Sequence, residues 1–178
     1  MDSEPSSFHF FLEILQPFQP ELIAPFIILI VLLLLSALIS GSEVAFFSLK
    51  IQDIEGLKAK QKDLYDTLYD LLDKPKTLLG TILIANNFIN VGIVIISAFI
   101  TDKLFDFSEY PRVGFAVQVI AITFILLLFG EVLPKVYASK NPLGFSSFMS
   151  KPMQVLRQVF KPLSTVLVKS SGLIEKRL

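Results

Sequence analysis

Three runs without a charged side chain divide this chain, from Leu22 to Ser42, Thr77 to Thr101 and Val113 to Gly130. A helix rises about 1.5 Å per residue, so a hydrocarbon core about 30 Å thick needs about 20 largely apolar residues to cross it. Lipid offers backbone amides no partner, which leaves the helix as the state such runs can adopt. The expected fold is therefore an all-α membrane protein with three transmembrane helices per protomer, at about 22–49, 77–101 and 113–130. A hydrophobic content of 53% fits this class. The chain has no Cys, and its single His9 lies in a polar N-terminal stretch. Disulfides, thiolate metal sites and Cys- or His-based catalysis are thereby excluded, and no enzyme is expected.

The segments between the runs set the topology. Lys50 to Lys76 carries six Lys and six acidic residues around Ile51, Ile54, Leu57, Leu64, Tyr65, Leu68, Leu71 and Leu72. Many of these apolar positions are three or four apart, which predicts an amphipathic helix over 50–74 that stops before Pro75. In the tail, 136–178, Pro142, Pro152 and Pro162 cut the chain into short pieces, expected as juxtamembrane helices along the inner leaflet. Lys and Arg number none in 1–21 and two in 102–112, against six in 50–76 and eight in 135–178. Positive charge collects on the cytoplasmic side, so the expectation is N-terminus outside and C-terminus inside. The acidic start (Asp2, Glu4) predicts a retained extracytoplasmic segment, 1–21, rather than a cleaved leader, with Phe8 to Leu15 forming a short amphipathic turn.

Polar residues interrupt all three runs at a similar depth. Ser40, Gly41, Ser42 and Glu43 stand near the end of the first, Asn86, Asn87 and Asn90 in the second, and Gly130-Glu131 at the end of the third. Asn86 and Asn90 are four apart and share a helix face, from which Asn87 is turned away. The first span is longer than the bilayer requires, so Ser40-Gly41-Ser42 is a place where it could unwind. Pro134 has no N–H to give to the carbonyl four residues back, at Gly130. A carboxylate inside the membrane costs about 2.5–3.5 kcal/mol, which makes Glu43 and Glu131 functional candidates. No Lys or Arg is expected at that depth to neutralise them, and a bound cation would do so. An oxygen-only set of this kind suits a hard ion such as Mg²⁺, with Na⁺ accepting much the same ligands. Plainer readings stay open. The asparagines could join helix to helix, Ser36, Ser40 and Ser42 could return their hydroxyls one turn back, Gly41 could permit close packing, Glu43 could pair with a lysine at the interface, and Glu131 could be a solvated acid.

At these residues the sequence resembles the transmembrane domain of the CNNM/CorC family of Mg²⁺ transporters. The resemblance is carried by Ser40-Gly41-Ser42-Glu43-Val44-Ala45, Asn86-Asn87-Phe88-Ile89-Asn90 and Phe129-Gly130-Glu131-Val132-Leu133-Pro134-Lys135, in that order. It departs at Ala85, where bacterial relatives often have Gly. The resemblance implies a homodimer in a bacterial inner membrane, bounded by lipid, that exports Mg²⁺ in exchange for Na⁺. It implies a dehydrated ion held by Ser40, Gly41, Ser42, Asn86, Asn90, Gly130 and Glu131, with Glu43 in a supporting or Na⁺-path role. Family members also carry cytosolic nucleotide-binding regulatory domains that these residues do not include, so ATP sensing is not expected here and the chain reads as a fragment. Nothing in it suggests nucleic-acid binding. The competing expectation is a membrane anchor and dimerisation scaffold for those cytosolic domains, without transport.

Overall fold

The computed structural model describes residues 15–17 and 19–166. The N-terminal segment with its turn at Phe8 to Leu15, and the end of the tail, lie almost wholly outside the described residues.

Three helices are long and apolar enough to cross a membrane, Pro20–Ser48, Pro75–Leu104 and Pro111–Lys140. The first is a 3-10 turn, Pro20–Leu22, leading into α1, Ile23–Ser48. It stays α-helical through Ser40, Gly41 and Ser42, so the unwinding anticipated there does not occur. Its extra length continues instead to Leu49, which turns to extended backbone. Short α2, Ile51–Ile54, follows, its entry fixed by the Lys50 amide donating to Asp53 Oδ2 at 2.7 Å. Then comes α3, Lys62–Leu72. The connector is thus two helical pieces rather than one continuous helix.

Proline begins each later element, at a position where a missing N–H costs nothing. Pro75 opens α4, Pro75–Leu104, and Pro111 opens α5, Pro111–Ile125. Without a break, α5 passes into a π-helical segment, Leu126–Val132, and then into α6, Leu133–Lys140. The third membrane helix therefore continues well beyond Gly130. Asn141 ends it and caps α7, Pro142–Val159, by accepting the Gly144 N–H at 3.0 Å. Pro152 lies inside α7 and does not cut it, contrary to the proline-bounded pieces anticipated. Proline inside a helix costs about 3 kcal/mol. Here it is exposed while its helix neighbours Met149 and Met153 are buried, and their burial holds the helix through it.

The core sits at one end of the three membrane helices. Ile39, Phe46, Ile54, Leu68, Leu71, Leu78, Ile82, Ala85, Met149 and Met153 form one buried cluster, so α1, α2, α3, α4 and α7 are tied together there. Arg157 of α7 adds a polar tie, donating to the Asp70 carbonyl of α3 at 3.0 Å and pairing with the Asp70 carboxylate. Away from this end the helices show apolar side chains outward, Ile27, Phe115, Ile120 and Phe124 among them. In water such a surface would aggregate, and in a bilayer it is the lipid face. At the far end the chain entering α1 lies against the chain leaving α4, the Gln16 amide donating to the Leu104 carbonyl at 2.8 Å. In the loop beyond, the Ser108 hydroxyl and amide both donate to Asp106 and hold its carboxyl below the ordinary range.

Candidate functional site

Two of the membrane helices meet in polar contact at Ser36, and the third packs closely against it. Its buried hydroxyl donates to Asn90 Oδ1 at 2.8 Å and stands 3.2 Å from Asn86 Oδ1, which brings α1 and α4 together. Gly130, in the π-helical segment, completes the enclosure. It is buried, and a Cβ built on it would stand 3.2 Å from Ser36 Oγ, a tight contact that a larger residue could make only if its neighbours shifted slightly. One hydroxyl proton is shared between two carboxamide oxygens.

Ser40 lies one turn along α1 from Ser36, on the same face. It is 1% exposed, and its Oγ has no hydrogen-bond partner among the described residues. Leaving a buried hydroxyl unmet costs about 1–3 kcal/mol, so this oxygen is one that a bound species would satisfy. Ser42 is differently placed, spending its hydroxyl on the Leu38 carbonyl at 2.7 Å, as one of the plainer readings had it. Gly41 is buried against α7, where an added Cβ would come within 2.7 Å of Phe145 Cζ, and its observed use is close packing. Asn87 faces outward, its amide donating to the Leu83 carbonyl at 2.9 Å.

The π-helical segment changes what the third helix offers. The Leu133 amide reaches back five residues to the Leu128 carbonyl. Pro134 contributes no N–H, so between that bond and the resumed α-helix carbonyls outnumber amide donors. Gly130 and Glu131 lie in this stretch. Glu131 is half-buried and has no hydrogen bond or ion pair among the described residues.

Glu43 pairs with a lysine, as one of the plainer readings had it: its Oε2 lies 2.9 Å from Lys135 Nζ, which corrects the expectation that no lysine stands at that depth. Lys135 was counted with the charges beyond the third span; the continuous helix into α6 instead carries it alongside α1. Among the described residues no three His, Cys, Asp or Glu side chains gather, so a cation at this site would be held chiefly by neutral oxygens. Ser36 is the residue that the motif reading passed over, having grouped it with back-bonding hydroxyls. Its four-residue spacing to Ser40 was the available signal.

The profile of a family described as "Cyclin M transmembrane N-terminal domain" (CNNM) matches residues 27–178. A "UPF0053 protein" of Haemophilus influenzae is 36% identical over 138 residues, which is 78% of this chain and 32% of that protein. The "UPF0053 inner membrane protein YfjD" of Escherichia coli is 32% identical over 125 residues, 68% of this chain and 28% of that protein. The chain spans about a third of the length of these relatives.

Proposed function

Because this chain belongs to the cyclin M transmembrane family, we propose that it moves Mg²⁺ out of the cell, as the membrane part of a Na⁺-coupled exchanger working as a homodimer. The observation that carries the reading is the oxygen cluster at Ser36. Neighbouring oxygens of an octahedron with bonds of about 2.1 Å lie about 3 Å apart. Ser36 Oγ stands 2.8 Å from Asn90 Oδ1 and 3.2 Å from Asn86 Oδ1, so three neutral oxygens from two helices already stand at a separation that a Mg²⁺ shell could use.

In this reading Ser36, Asn86 and Asn90 supply neutral oxygens, Ser40 a hydroxyl without a partner among the described residues, and Gly130 a carbonyl from the donor-poor π-helical stretch. Glu131 supplies charge, since Glu43 is engaged by Lys135. Gly41 and Ser42 stand beside the site as support, one seating Phe145 and the other bonding along its own helix. Charge between the spans orients the chain with 50–76 and 135–178 in the cytoplasm and 102–112 outside. The inner-membrane location named for the E. coli relative supports a bacterial inner membrane here. The ion would enter from the cytoplasm, shed water onto these oxygens and leave outward as the helices shift.

Calorimetric Mg²⁺ titration of the purified protein tests the site. Ser36→Ala and Glu131→Ala are each expected to weaken binding by about 10- to 100-fold, the range found when a metal site loses a supporting group. Unchanged affinity in both would remove the proposal. A second reading, a scaffold without transport, is favoured by the Ser36 bond itself, since 2.8 Å is also an ordinary hydrogen bond between helices. Reconstituted vesicles containing a Mg²⁺ dye separate the two: a scaffold leaves the dye signal unchanged.

A further inference from the structure

A cleft of about 520 Å³ opens between the start of α3 and the middle of α7, remote from the oxygen cluster. Lys60 and Lys62 line it from one side and Lys151 from the other, with Asp63 the single acid on its wall. None of the three lysines has an ion-pair partner among the described residues, unlike Lys74 and Lys135, which are held by Asp70 and Glu43. Three like charges converging from two elements repel one another unless an anion lies between them. The backbone adds to the attraction. The first helical bond of α3 is given by the Tyr65 amide to the Gln61 carbonyl at 3.0 Å, so the amides of Lys62, Asp63 and Leu64 precede it, and no side chain caps them. Such amides favour negative charge.

The rest of the lining narrows the ligand. Phe148, 66% exposed, stands on the same wall as Lys151. One wall of the cleft belongs to the segment that leaves one membrane helix at Ser48 and enters the next at Pro75, and the other to α7, so the cleft lies beyond the ends of those two membrane helices. Clustered lysines at a bilayer surface draw anionic headgroups, and a bare aromatic ring beside them offers contact to an acyl chain.

We propose that Lys60, Lys62 and Lys151 form a phosphate-binding cleft, occupied by the headgroup of an anionic phospholipid. A soluble phosphate would meet the same charges but has no use for Phe148. The site does not depend on the transport reading, and its test reads lipid retention rather than ion movement.

The test compares the wild-type protein with a Lys60→Gln, Lys62→Gln, Lys151→Gln triple variant and a Lys140→Gln, Lys161→Gln control whose lysines lie outside the cleft. Each is mixed with phosphatidylglycerol or phosphatidylcholine in detergent, and bound lipid is counted by native mass spectrometry, with helical content checked by circular dichroism. The wild type and control should retain phosphatidylglycerol over phosphatidylcholine, and the triple variant should retain it at least about tenfold less. A separate arm titrates inorganic phosphate by calorimetry. Lysine-dependent phosphate binding without lipid preference would support the cleft and assign it a soluble ligand. Equal phosphatidylglycerol retention by wild type and triple variant, or equal loss in the control, with no lysine-dependent phosphate binding, would overturn the proposal.

Discussion

The Lys135 ammonium stands 2.9 Å from the Glu43 carboxylate and joins the third membrane helix to the first. Both side chains are more than a third exposed on the protein surface, at 37% and 41%. Exposed pairs contribute about 0.2–1 kcal/mol. A double-mutant cycle of Glu43→Gln and Lys135→Gln, followed by thermal melting at 222 nm, should give a coupling energy in that range. It should shrink as salt is raised. A coupling of zero at low salt would mean that the two groups do not interact in solution.

Ser40→Ala should separate stability from ion binding. The wild-type hydroxyl is buried without a partner among the described residues, and removing it relieves a cost of about 1–3 kcal/mol in the ion-free protein. The variant should therefore melt at or above the wild-type temperature without Mg²⁺, yet gain less from added Mg²⁺ than the wild type does. Melting scans with and without the ion check both halves. A variant that loses stability in the absence of Mg²⁺ would show that the hydroxyl is satisfied after all.

Gly41→Ala should destabilise through α7. The added methyl would meet the Phe145 ring at 2.7–3.3 Å, too close for ordinary contact. Overpacking of this kind costs about 1–3 kcal/mol. Phe145→Leu in the same chain should restore part of the loss, because it withdraws the ring. If the second substitution only adds to the damage, the clash lies elsewhere.

Arg157→Ala should loosen α7 from the connector. The guanidinium makes one bond to the Asp70 carbonyl and one to its carboxylate, and bonds involving a charged group contribute about 1.5–3 kcal/mol. Limited proteolysis should cut the variant sooner near residue 160 than it cuts the wild type. Arg157→Lys should restore only part of the protection, because an ammonium does not reproduce the forked geometry.

Much of this protein follows from local arithmetic. Uncharged runs around Ile27, Ile93 and Ala121 are long enough to cross lipid, and nothing but a helix satisfies their amides there, so three spans could be read directly from the chain. The four-residue spacing of Asn86 and Asn90 likewise fixed a shared face before any neighbour was known. What the sequence could not decide was which side chains those faces would meet. Ser36 became the centre because α4 packs at that height on α1 and because Gly130 lets the third helix approach. Lys135 came within reach of Glu43 because the π-helical segment carries the third helix on past Pro134 instead of ending it. Helix formation answers to hydrogen bonds between residues four or five apart, while these meetings depend on contacts between residues some fifty to ninety positions apart, which exist only once the helices have packed.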